Sequence, residues 1–83
     1  MLEMQVFKPL DRTTASLELW DGGAPVAEVF AVEGGRRRLY LCEAGQQHGL
    51  DWTALAELAP RITALLDEAD EEMRLARRLL GEP

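Results

Sequence analysis

Apolar residues recur at steps of three and four from Leu55 to Leu80 and at steps of two through most of the chain before Cys42. That change of period divides the chain into strands followed by one long helix. In the helical part, Leu55, Ala59, Ile62, Leu66, Ala69, Met73, Ala76 and Leu80 form one stripe, which Leu58 and Leu65 widen through the first half. Asp51 is placed to cap the helix, because its carboxylate can accept from the free N–H groups of the first turn. Gly81 and Pro83 stop it. Pro60 lies inside this stretch, where it removes one backbone hydrogen bond and crowds the preceding turn, so a kink or break is expected between Leu58 and Arg61.

The earlier segments alternate. Leu2 to Phe7 reads as a half-buried strand that Lys8-Pro9-Leu10-Asp11-Arg12 ends. Ala15 to Trp20 is a second strand, and Asp21-Gly22-Gly23 a tight hairpin turn. Pro25 to Glu33 is a third, apolar on both faces and therefore expected to be central. Gly34-Gly35 turns the chain into a fourth strand, Arg37 to Cys42, and Glu43 to Leu50 reads as a polar loop leading to the helix. The expected fold is α+β: a four-stranded antiparallel β-meander followed by one long C-terminal helix, in a single small domain over residues 1–83.

Strand parity separates two faces. Leu17, Leu19, Ala27, Val29, Ala31, Leu39 and Leu41 make an aliphatic face suited to the helix. The other face collects Trp20, Phe30 and Tyr40, with Phe7 beside them and Arg36 and Arg38 at the edge. So much aromatic area on an uncovered sheet points to a contact surface. It suits a twin face in a dimer, a protein partner, or a platform on which bases of single-stranded nucleic acid stack while Arg12, Arg36, Arg37 and Arg38 meet phosphates. A 30-residue helix runs about 45 Å, whereas strands of six to eight residues span about 20–27 Å. The helix end should overhang the sheet, leaving Ala69, Met73, Ala76 and Leu80 to be buried against a second copy.

Composition narrows the class. Eighty-three residues, 47% of them hydrophobic, suffice for one core but make a marginal domain on their own. The net charge of −6 is concentrated late: residues 51–83 carry four Lys/Arg against eight Asp/Glu, chiefly in the run from Asp67 to Glu72. That run reads first as a solvated helix face, with contact to a basic partner or protection against self-association as alternatives. Cys42 is the only cysteine, which excludes an intrachain disulfide and favours a cytoplasmic setting. No run approaches the roughly 20 apolar residues of a membrane span, and the first residues lack a signal-peptide pattern. His48 is the only histidine and has no second ligand nearby; no nucleophile–base pair or nucleotide fingerprint is present. The expectation is no enzyme, no cofactor and no metal.

At Trp52 the helix reads W-T-A-L-A-E-L-A-P-R-I, a Trp-x-x-Leu-x-x-Leu opening followed by Pro60 and Ile62. After a four-stranded meander, this resembles the positive-cofactor-four family of single-stranded-DNA-binding transcriptional coactivators. The hairpin S-L-E-L-W-D-G-G-A-P-V-A-E-V-F is similar to that family's connection into a long central strand, and the resemblance spans roughly residues 4 to 66. It implies a dimer, helix against helix, whose curved sheets hold single-stranded DNA. The family is basic along its loops and strands; here the basic stretch is reduced to Gly34-Gly35-Arg36-Arg37-Arg38. The sequence thus points to a non-enzymatic homodimeric binding protein acting on single-stranded nucleic acid in transcription or DNA maintenance. The alternative is an acidic protein-interaction module, a regulator or inhibitor that binds no nucleic acid.

Overall fold

Period-two alternation becomes four strands and the three-four stripe becomes one helix in the computed structural model, which describes residues 1–81. The strands are β1 (Leu2–Phe7), β2 (Ser16–Asp21), β3 (Ala24–Ala31) and β4 (Arg37–Leu41), and they form one antiparallel sheet in the order β1-β2-β3-β4. Gly22 and Gly23 take φ of 61° and 82° in a two-residue turn between Asp21 and Ala24. Side chains resist that left-handed geometry, and it is the one whose twist matches the flanking strands. A single 3-10 turn, Glu33–Gly35, joins β3 to β4.

Two local details depart from the sequence reading. Leu19 faces Ala27 while Trp20 faces Pro25, so Val26 is an extra residue in β3, a bulge. Strict alternation assigns Val26 to the aromatic face; the bulge instead brings it into the core, where it is 5% exposed. The stretch expected to be a polar loop contains a short helix, α1 (Glu43–His48). Gly45 is buried in it, lying so close to β3 that a Cβ would meet the Val26 carbonyl oxygen at 2.1 Å. Glycine lowers helix propensity, but this contact needs its missing side chain, and packing wins.

The long helix, α2 (Trp52–Leu79), starts at an Asp51 cap whose carboxylate accepts the Ala54 N–H at 3.0 Å. It is uninterrupted through Leu58–Arg61, so the break expected at Pro60 is absent. Pro60 and Ala56, the residue whose carbonyl loses its donor, are both exposed, while Leu55, Leu58, Ile62 and Leu66 hold the same stripe on the core on either side. The helix ends just before Gly81; the second expected stop, Pro83, lies outside the described residues.

The core joins Ala15, Leu17, Leu19, Val26, Ala27 and Val29 to Ile62, Leu66, Ala69 and Met73. Within the sheet α2 packs on β1 and β2, and α1 packs on β3 and β4. The helix therefore covers one half of the aliphatic face rather than all of it.

Charged groups fix that position. One oxygen of Asp70 accepts the buried Ala15 N–H at 2.7 Å, and the other accepts Arg37 Nη2 at 2.8 Å. Arg37 Nη1 also reaches Asp67 at 2.8 Å. Burial disfavours the Arg37 cation, but the hydrogen bonds and charges of Asp67 and Asp70 outweigh it and raise its pKa. Lys8 meets Glu72 at 2.5 Å, and Arg77 donates to the Arg12 carbonyl. The segment between β1 and β2 is thereby strapped along the second half of α2. Much of the acidic run, read first as a solvated face, serves to hold the helix down.

Four substitutions test this account of the fold. Asp70→Ala removes a charge-assisted bond at a buried amide and should cost roughly 1.5–3 kcal/mol in urea unfolding. Asp67→Ala removes an exposed partner and should cost no more than about 1 kcal/mol. Gly45→Ala should cost about 1–3 kcal/mol or more, because the α1–β3 contact must open. Pro60→Ala restores a helix bond in an unbroken helix and should stabilise, by as much as about 3 kcal/mol.

Candidate functional site

The sheet face opposite α2 carries Glu3, Gln5 and Phe7 from β1, Ser16, Glu18 and Trp20 from β2, Glu28 and Phe30 from β3, and Arg38 and Tyr40 from β4, by register and alternation. The predicted aromatics share this face but do not form one platform. Phe30 and Tyr40 stack, with ring centroids 4.7 Å apart and planes 10° from parallel. Trp20 stands towards the other end of β2, opposite Glu3 and Pro25, and its indole N–H donates to Glu18 at 3.2 Å. Between them Glu18 lies directly across from Glu28. Carboxylates therefore interrupt the aromatic surface.

The basic residues divide. Arg38 lies opposite Phe30 in the register and next to Tyr40 in alternation, so it belongs to the aromatic face. Arg12 borders a shallow hollow on that face with Phe7, Ser16, Glu18 and Glu28. Arg36 is exposed, and its carbonyl accepts the Val32 N–H at the hairpin. Arg37 does not join them. Its position in β4 is one residue out of phase, which turns it to the helix side and into the carboxylates of Asp67 and Asp70. Its expected contact with phosphate is withdrawn for that reason.

The expected overhang also needs correction. Ala69 and Met73 are 4% and 8% exposed within a single chain. Met73 lies beside Lys8, Pro9, Leu10 and Arg12 of the β1–β2 connection, which runs along the helix where a second copy was expected. Ala76 and Leu80 are exposed; with Pro9, Leu10 and Met73 they line an open groove of about 290 Å³.

The surface that sequence reasoning missed is β4 itself. Leu39 and Leu41 belong to the aliphatic face, yet they are 38% and 43% exposed, because α2 packs on the other half of the sheet. Tyr40, on the opposite face, is 45% exposed. The second half of an edge strand is thus apolar and exposed on both faces. The other edge differs on its inner face: Leu2, Met4 and Val6 of β1 are half-buried against the core, while Glu3, Gln5 and the exposed Phe7 are its outer residues. The signal was present in Leu39-Tyr40-Leu41, which is apolar in both parities as β3 is.

His48 is exposed in the last turn of α1, and Cys42 is half-buried at the end of β4 with its N–H bonded to the Val26 carbonyl at 2.9 Å. Among the described residues no three His, Cys, Asp or Glu side chains converge as a metal site, and no helix is long and apolar enough to cross a membrane. Comparison of the chain with protein-family models, with curated proteins and with solved structures finds no match.

Proposed function

We propose that this chain is a non-enzymatic protein-binding module whose docking element is the free edge of β4. The observation that carries the reading is the exposure of Leu39, Tyr40 and Leu41 on both faces of an edge strand. Natural sheets protect their edges with charge, proline, bulges or a covering element. Strand β1 has its inner face covered by α2, whereas β4 carries Arg37 and Arg38 at its start but leaves Leu39, Tyr40 and Leu41 exposed. An extended segment added here gains main-chain hydrogen bonds along the edge and places its side chains against Leu39 and Leu41 on one face and Tyr40 on the other.

Single-stranded nucleic acid remains a second reading because of one feature, the Phe30–Tyr40 stack with Arg38 beside it. Against it stand Glu3, Glu18 and Glu28 on the same face, which repel a phosphate backbone, and the diversion of Arg37 to the helix.

Titration of the full chain with labelled single-stranded oligonucleotides at low salt separates the two. The protein-binding reading predicts no saturable binding. Saturable binding would overturn it if Tyr40→Ala cost roughly 1–3 kcal/mol and Arg38→Ala lowered the salt slope by about 0.7.

A further inference from the structure

We propose that the occupant of the β4 edge is a second copy of this chain, paired antiparallel about Leu39 to make one sheet continuous through both copies. This rests on the docking reading above and names the partner.

The hydrogen-bonding phase of β4 selects the register. The Val32 N–H donates to the Arg36 carbonyl at 2.7 Å, and the Cys42 N–H donates to the Val26 carbonyl at 2.9 Å. In an antiparallel ladder, residues alternate between pointing both backbone groups at one neighbour and at the other. Arg36, Arg38, Tyr40 and Cys42 therefore turn theirs to β3, and Arg37, Leu39 and Leu41 turn theirs to the free edge, where the Leu41 carbonyl accepts Gln46 Nε2 at 3.2 Å. A two-fold axis at Leu39 sets Leu39 against the partner's Leu39 and Arg37 against the partner's Leu41. Every outward group of the strand is then paired, the Leu41 carbonyl accepting on the lone pair that Gln46 leaves free.

Other centres do worse. An axis at Arg37 or Arg38 places an arginine against itself. An axis at Tyr40 pairs only Leu39 with Leu41, because the next outward partner would be Glu43, already in α1. An axis at Leu41 sets Leu39 against that same residue.

The side chains agree with the Leu39 register on both faces. Leu39 meets its own copy on the aliphatic side. On the other side Arg38 lies opposite the partner's Tyr40 as a non-hydrogen-bonded pair, the closer of the two kinds. Phe30, on β3, covers one ring face of Tyr40 and leaves the face away from Phe30 for a partner. A guanidinium on that second face makes a cation–π contact. The three consecutive arginines do not block the approach, since Arg37 is neutralised by Asp67 and Asp70 and Arg38 gains an aromatic partner. The edge is thus complementary to itself without a foreign sequence.

Sedimentation of the full chain at micromolar concentration, together with two variants, tests this. The wild type should sediment at twice its 9.3 kDa chain mass. Leu39→Pro removes an outward N–H and leaves the β3 ladder intact; it should sediment as a monomer with an unchanged circular dichroism spectrum. In a Cys42→Ser background, Leu39→Cys should form a disulfide-linked dimer on mild oxidation, because paired Cα atoms there lie about 5.5 Å apart, within disulfide reach. Leu75→Cys, on an exposed helix position, should not. A wild-type monomer throughout, or a dimer that survives Leu39→Pro without the Leu39→Cys cross-link, would overturn the proposal. The oligonucleotide titration on the same samples keeps the outcomes apart. A monomer that binds no oligonucleotide overturns only the β4 pairing, whereas oligonucleotide binding overturns the reading beneath it.

Discussion

The carboxylate of Asp70 accepts the Ala15 amide on one oxygen and the Arg37 guanidinium on the other. Through those bonds one residue of α2 is tied to the entry of β2 and to the start of β4. An amide as buried as that of Ala15, at 2% exposure, cannot be left without a partner cheaply. The two bonds fix the helix along the sheet and set its rotation. Lys8–Glu72 and the Arg77–Arg12 contact then fasten the β1–β2 connection over the remainder of α2. With the helix held over β1 and β2 and only α1 packed on β4, Leu39 and Leu41 stay exposed. The candidate binding surface is thus a consequence of how the helix is anchored.

Much of the fold was legible because it depends on period and local chemistry. The Asp51 cap, the Gly22-Gly23 turn, the meander order and the helical stripe follow from residues a few positions apart. The misses each involve contacts distant in sequence. Val26 leaves its parity through a bulge, and α1 forms because Gly45 fits against β3. Pro60 does not break a helix whose apolar stripe is held on both sides of it. Met73 is buried by a loop more than 60 residues earlier in the chain.

The site was legible in part for the same reason. Parity correctly brought Phe30 and Tyr40 together and placed Arg38 beside them. It also separates Arg37 from Arg38, yet a run of three arginines invites treatment as one basic patch. The carboxylates of Glu18 and Glu28 were visible in the sequence; their direct opposition across β2 and β3 depended on a register that hairpin turns and a bulge determine together. What the sequence could not reveal was how far the helix reaches across the sheet, and that distance decides whether Leu39 and Leu41 are core or contact surface.

Amide hydrogen exchange along β4, followed by NMR over a range of protein concentrations, tests the central claim most directly. Arg38 and Tyr40 donate to β3 and should be protected at every concentration. Arg37, Leu39 and Leu41 point to the free edge, and their amides should gain protection as concentration rises and copies pair. Fast exchange of Arg37, Leu39 and Leu41 at every concentration would contradict the account.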